Sequence, residues 1–197
     1  MKYWVILTAK LDDGVVLTSV PEDGPDDFEY DEGAPLLKGY PDRDEAVMVY
    51  DTDYPEGVKL YDILSSLDGI IVVSIKVKTI FDELGIDDVE YLPISLWDHQ
   101  QKPVNADYYI LNPVGSVEFI DMDNSEYRMD PLDEEQIGRI KKLVVNVDKI
   151  PKGANLFRAK TKTDQIFINS KVRGALKKAG VKGYKLFEAE GWDGLPI

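Results

Sequence analysis

Two stretches of the chain, 95 residues apart, carry the same succession of local signals, and this succession limits the fold more than any other feature. The first leads from the apolar residues 70–73 through a helical apolar face to Gly85. The second leads from residues 166–168 through a similar face to Gly180. Each predicts a strand, a helix, a glycine stop and a second strand. The two are either an internal repeat or two independent examples of a common unit. The predicted N-cap residues are Ser74, Asn169 and Ser170.

Strand signals dominate the rest of the chain. The apolar spacing of residues 58–67 predicts a further helix, and Pro131 followed by acids predicts the start of a helical turn. Strands and helices do not alternate regularly, so the sequence predicts the α+β class. We expect mixed, mostly antiparallel strands with two or three short helices. Two similar strand–helix–strand lobes are one possible arrangement of these elements. The predicted strands are 3–8, 46–50, 70–73, 89–92, 107–111, 114–121, 143–147, 157–158, 166–168 and 184–187.

Charge is distributed unevenly along the 197 residues, which carry a net charge of -14. Residues 1–135 have a net charge of -23, whereas residues 136–197 have a net charge of +9. This asymmetry indicates either a charged interaction surface or attraction between the two parts within one fold. The acidic excess disfavours unaided binding to nucleic acid or to an anionic membrane, and it permits a basic protein partner.

The length fits one domain or two small lobes. We expect an acidic N-terminal part, residues 1–69, and the remainder, residues 70–197, to form one compact unit. The first nine residues are too short for a secretory signal, and no run approaches the ~18 apolar residues of a membrane span. With no cysteine in the chain, a soluble, cytoplasmic protein is expected. Leu195 and Ile197 are either a tail that packs onto the body or a dimer contact, so the oligomeric state stays open.

Catalytic motifs are largely missing from the sequence. The lack of cysteine and the single histidine exclude thiolate nucleophiles and the usual zinc sites. Asp121, Asp123 and Ser125 have the spacing of the first calcium-loop ligands, but Glu126 occupies the glycine position of that loop. We therefore expect no catalytic residue, no metal and no cofactor. The alternative is a small acidic hydrolase that uses a carboxylate with His99, although no Gly-x-Ser-x-Gly motif accompanies it.

A loop rich in acids and prolines is predicted over residues 20–35. Phe28 and Tyr30 lie among its acids, and exposed aromatics within a charged loop are typical of protein interfaces. The alternative is a solvated loop whose two aromatics pack onto the body. As an interface, the loop predicts the partner-binding residues Asp26, Asp27, Phe28, Glu29, Tyr30, Asp31 and Glu32.

Several short motifs in the last two thirds of the chain resemble one known family. They are YILN at 109–112, Asp121 and Ser125, LVV at 143–145, the Phe157–Arg158 pair, and residues 166–187; the segment 71–93 fits the same pattern. Their order resembles the bacterial polymorphic-toxin immunity family numbered eleven, formerly a domain of unknown function, over about residues 70–190. The resemblance implies a cytoplasmic protein, without enzyme activity, that binds and blocks a toxin encoded beside it. A basic toxin would match the acidic chain.

The polar residues of these motifs allow two interpretations. They contact a partner, or they hold turns and caps of the shared fold. Asn112 precedes a proline, which is a turn signal, and Asp121 is placed to start an Asx turn. The polar residues to which these two interpretations apply are Tyr109, Asn112, Asp121 and Ser125.

A third possible role for the chain is that of a structural or regulatory partner within a secretion or effector complex.

Overall fold

The computed structural model describes residues 1–195, which form thirteen strands, two α-helices and two short 3₁₀ segments. This confirms the α+β class. The strands are β1 Tyr3–Thr8, β2 Val16–Leu17, β3 Val47–Val49, β4 Ile63–Ser66, β5 Val72–Ser74, β6 Val89–Trp97, β7 Pro103–Pro113, β8 Ser116–Val117, β9 Glu126–Met129, β10 Ile137–Lys142, β11 Leu156–Ala159, β12 Lys162–Asn169 and β13 Tyr184–Glu188. The helices are α1 Ile75–Glu83 and α2 Ser170–Lys178, and the 3₁₀ segments are Asp27–Asp31 and Val147–Lys149.

Six strands form a sheet in the order β2-β4-β5-β7-β6-β3. Its two end strands are connected, because Thr18 N donates to Val49 O and Asp51 N donates to Val16 O, both at 2.9 Å. The sheet therefore closes on itself, and we call it the closed sheet. Its interior holds a core that includes Leu17, Met48, Leu64, Val72, Leu92, Ile94 and Ile110, each no more than 1% exposed.

Five strands form a second sheet, the open sheet, in the order β13-β1-β12-β11-β8. Its pairs are antiparallel except β11 with β8. On one face, a cluster of four aromatic rings packs with edge, tilted and stacked contacts, with ring centroids 4.5–6.2 Å apart. The hairpin β9–β10 contributes Ile137 and Ile140 to the same core. The four rings are Tyr3, Phe119, Phe157 and Phe167.

Both helices belong to a core shared by the two sheets. Val77 and Phe81 of α1 and Val172 and Leu176 of α2 are fully buried there. Apolar burial of this kind stabilises by about 25 cal/mol per Å². Because the core contains residues from both parts of the chain, it joins the acidic N-terminal part to the rest. Its strand residues include Trp4, Ile6, Ile63, Val73, Leu111, Ile166 and Ile168.

Both of the units predicted 95 residues apart are present in the structure. The bounds of α1 and α2 differ by 95 at both ends, and each helix is followed by a left-handed glycine, Gly85 at φ 66° and Gly180 at φ 65°. In each unit, one antiparallel strand lies between the two strands that flank the helix. That strand is β7 in the closed sheet and β1 in the open sheet. Two split strand–helix–strand units therefore face each other across the shared core.

The helix predicted over residues 58–67 is wrong. Residues 63–66 form β4, which pairs with β2 and β5. Ile63 and Leu64 are each 1% exposed because they face different cores on the two sides of the strand. Pairing with a strand on each side stabilises this segment as a strand, and this tertiary contribution exceeds the local preference for a helix that the leucine spacing indicates. The segment that follows Pro131 is also not helical, because it is the connection between β9 and β10.

The predicted strand over residues 143–147 is reduced to one antiparallel bridge between Val145 and Ile120. At the C-terminal end, Leu195 is 44% exposed, and its carbonyl accepts a hydrogen bond from Trp192 Nε1 at 3.2 Å. The prediction made for Ile197 lies outside the described residues. Among residues 1–195, no helix has both the length and the apolar character needed to cross a membrane.

Candidate partner-binding surface

The acid loop, defined as residues 26–32, is shaped by its own carboxylates. Glu29 Oε2 accepts a hydrogen bond from Asp26 N at 2.8 Å, at the start of the 3₁₀ segment. Asp27 Oδ1 accepts from Phe28 N at 2.8 Å. Side chains that satisfy free main-chain N–H groups hold a short helical turn in place. Part of the acidity of this loop therefore serves its own conformation.

The two aromatics of the acid loop occupy different environments. Tyr30 is 2% exposed and lies in the core of the closed sheet, where burial raises the pKa of its hydroxyl to about 12. Phe28 is 59% exposed. Both aromatics were predicted to contact a partner, and the structure places the Tyr30 ring in the core instead of at the surface. Phe28 alone of the pair is presented at the surface.

A buried arginine holds the acid loop against the open sheet. Arg158 of β11 is 3% exposed, and its guanidinium donates to three main-chain oxygens. Nη2 donates to Tyr30 O at 2.6 Å, Nη1 to Thr163 O at 2.6 Å, and Nε to Pro113 O at 3.3 Å. A charged group can be buried only where its donors are hydrogen-bonded, so these bonds fix the position of the guanidinium relative to the groups that it contacts. The side chain therefore connects the loop to β7 and β12.

Asp31 lies at the exposed side of this arginine. Its Oδ1 is 3.8 Å from Arg158 Nη1, and its side chain keeps 44% of its surface exposed. Burial raises the pKa of Asp31 to about 6, and the positive charge of Arg158 opposes that rise. The contact is too long for a hydrogen bond, so the arginine compensates only part of the burial. Asp31 therefore changes charge just below neutral pH.

A second anchor fixes the segment that follows the acid loop. Glu90 Oε2 accepts hydrogen bonds from Leu36 N at 2.6 Å and Leu37 N at 3.1 Å. Asn112 is 1% exposed, and its Nδ2 donates to Ala34 O at 2.9 Å and to the same Glu90 oxygen at 3.1 Å. Asn112 therefore makes internal contacts, although it makes them from within β7, where it pairs with Glu90, and not from the turn that its position before a proline predicted.

What remains at the surface is a small acidic face around one aromatic. Asp26, Asp27 and Glu32 are exposed beside Phe28, whereas Glu29 and Asp31 are half-buried. The face lies on a base that Arg158 fixes. A fixed aromatic among carboxylates has the chemistry of a protein contact, in which the ring supplies apolar area and the acids supply charge complementarity.

The other polar motif residues also make contacts within the chain. Asp121 Oδ1 accepts from Asp123 N and Asn124 N, both at 3.2 Å, which is an Asx-type turn. Ser125 Oγ accepts from Val144 N at 2.9 Å. Tyr109 is half-buried on the closed sheet, with the Tyr91 ring at 6.3 Å.

His99 packs edge-on against the Tyr50 ring at 5.4 Å, and its Nε2 is buried without a hydrogen-bond partner. Five of the clefts on residues 1–195 have linings that do not include it. Over the same residues, no three His, Asp or Glu side chains gather in a metal-binding cluster.

The two anchors, Arg158 and Glu90, were not identified as site residues from the sequence. Arg158 stands between Phe157 and Ala159 in an apolar strand, and a lone charge in such a run is a signal of an internal role. Glu90 carries no comparable signal, because it is one of many carboxylates in this chain.

A family model described as Immunity protein family (Imm11) matches residues 10–191. The match includes most of the acidic N-terminal part, to which the resemblance seen in the sequence did not extend. No curated protein matches the chain.

Proposed function

The chain belongs to the immunity protein family Imm11, and from this premise we propose that it binds a cognate bacterial toxin in the cytoplasm and neutralises it by protein–protein contact. The family match carries this proposal. The exposed face of the acid loop supports it, because it offers an aromatic and three carboxylates on an anchored base.

We propose Asp26, Asp27, Phe28 and Glu32 as the toxin contact. Glu29 and Tyr30 hold the loop through hydrogen bonds that they accept from Asp26 N and from Arg158, and Asp31 lies half-buried beside that arginine. A basic toxin surface is the complementary partner, since opposite charges accelerate association and make it sensitive to salt. The net charge of -14 favours the same encounter.

The test is co-expression with the C-terminal domain of the protein encoded beside this chain. Copurification and restored growth are the expected results. If the two chains neither copurify nor restore growth, the immunity role is wrong.

The contact itself is tested by neutralising three acids together, Asp26→Asn, Asp27→Asn and Glu32→Gln. We expect about tenfold weaker binding at low salt and a shallower dependence on salt. The control removes three exposed acids elsewhere, Glu83→Gln, Glu134→Gln and Glu135→Gln. Equal binding by both triple variants would mean that the acid loop is not the contact, whatever the outcome for growth.

A further inference from the structure

The open sheet leaves one five-residue strand unpaired along its outer edge. β13 pairs with β1 on one side and ends the sheet on the other. Ala9 N donates to Gly183 O, and Ala189 N donates to Tyr3 O, both at 2.9 Å. Because bonded pairs alternate in an antiparallel ladder, these bonds direct the main-chain groups of residues 184, 186 and 188 outward.

A cleft of about 460 Å³ runs along this edge beneath α2. Its apolar side includes Trp4, Tyr184 and Leu186, all of which belong to the shared core. Aromatic and aliphatic surface beside free main-chain groups suits an extended segment, which alternates side chains between its two faces.

The remaining wall of the cleft is positively charged. Arg173, Lys177 and Lys182 line it, and within the described part of the chain its lining includes no carboxylate. These three cations also have no carboxylate at ion-pair distance among residues 1–195. The Arg173 guanidinium lies 4.6 Å from the centroid of the Trp4 ring, which holds it over the cleft. In a chain of net charge -14, this is a local reversal of sign.

We propose that the β13 edge and the α2 cleft bind an extended acidic segment of a partner protein, which adds to the open sheet as a sixth strand. Main-chain bonds to residues 184, 186 and 188 supply the pairing, and the three cations select carboxylates. No residue of the acid loop lines the cleft, so this surface stands apart from the proposed toxin contact.

A second copy of this chain is the other strand that could occupy the edge, since β13 and the residues that follow it carry the exposed acids Glu188 and Glu190 as well as Lys185. A dimer of the full chain in solution that Glu188→Pro dissociates would overturn the proposal. A nucleic acid would match the cations, but it offers no strand-like main chain to the edge. The whole chain is also strongly acidic, which opposes phosphates.

The probe is a short synthetic peptide of alternating Glu and Val, titrated into the full chain. We expect saturable binding tighter than about 1 mM. We also expect slower amide exchange at residues 184, 186 and 188. A Lys–Val peptide of the same length should not bind. No binding of the acidic peptide, or binding of single-stranded DNA at the same site with equal affinity, would overturn the proposal.

Two sets of variants separate the charges from the strand edge. Arg173→Glu, Lys177→Glu and Lys182→Glu together should weaken peptide binding about tenfold or more. Lys141→Glu, Lys142→Glu and Lys152→Glu change the same number of exposed cations elsewhere and should leave it unchanged.

Glu188→Pro removes one outward N–H, whereas Glu188→Ala keeps it, and both lose the Lys2 ion pair. Only the proline variant should bind more weakly. Equal affinities for the two Glu188 variants, or for the two triple variants, would contradict the proposal. The toxin assays above are unaffected by either result.

Discussion

The guanidinium of Arg158 donates to the main-chain oxygen of Tyr30 at 2.6 Å, across 128 residues of sequence. This bond joins the acid loop to the open sheet, and it makes the conformation of the loop depend on a residue of the basic C-terminal third. Asp31 lies 3.8 Å from the same guanidinium, so the acidic and basic parts of the chain meet at this place within the fold.

Replacing Arg158 by Met should be severely destabilising. Three main-chain oxygens would lose their donor in a buried place, and we expect the free energy of unfolding to fall by at least about 3 kcal/mol. Amide exchange in residues 26–32 should accelerate more than exchange in the closed sheet. Urea denaturation measures the first effect and exchange mass spectrometry the second. Lys160→Met, at an exposed cation, is the control; similar losses in both variants would contradict the anchoring role.

Asp31 should make stability depend on pH in an unusual direction. Its pKa is about 6 in the folded protein, against an ordinary value of 3.8, so the folded state holds a proton that the unfolded state has already lost. The contribution of Asp31 to stability should therefore fall as pH rises from about 4 to about 6, and then level off.

Asp31→Asn should remove that fall and be more stable than the wild type at pH 7. The gain should be below about 1 kcal/mol, because solvent screens a side chain that is 44% exposed. Thermal unfolding measured across this pH range tests it. A wild-type stability that rises through the same window relative to Asp31→Asn would show that Arg158 outweighs burial.

Gly183→Ala should disrupt the contact between the two sheets. A Cβ at Gly183 would lie too close to Ile63 O, and the residue has φ 97°. We expect a loss above about 3 kcal/mol or a failure to fold. Gly174→Ala, in the exposed face of α2 where a Cβ meets nothing, should instead stabilise by about 0.5–1 kcal/mol. Denaturation midpoints of the two variants compare them directly.

The two helix caps should respond differently to removal. Asn169 Oδ1 accepts from Lys171 N at 2.9 Å and Val172 N at 3.1 Å, so Asn169→Ala should cost about 1–2 kcal/mol. Ser74 occupies the equivalent position before α1, but its buried hydroxyl has no partner. Ser74→Ala should therefore be neutral or slightly stabilising. Equal losses at both positions would contradict this difference.

Local signals in the sequence were sufficient where a segment decides its own structure. The strand predicted over residues 3–8 is β1 exactly as bounded, and Gly85 and Gly180 end their helices as predicted. Ser74 was placed correctly as the N-cap, but its hydroxyl does not accept the expected hydrogen bond. The sequence therefore predicts where the helix begins, but not which hydrogen bond the residue at that position makes.

Other elements depend on distant partners and could not be predicted. β10 has buried isoleucines at 137 and 140, a spacing of three that does not resemble a strand. A register shift between Ile137 and Arg139 in the pairing with β9 explains how both isoleucines reach the same core. The acid loop is a similar case, because its exposed and buried residues are separated by contacts to Arg158 and Glu90, far away in the chain.

The position of β1 between β12 and β13 has a consequence for synthesis. Tyr3 pairs with Asn169, and Trp4 pairs with Glu188, so β1 is synthesised well before both of the strands that pair with it. The closed sheet uses only residues up to 113 and can form earlier. The open sheet, including the β13 edge and the Arg158 anchor, can assemble only after β12 and β13 have been synthesised.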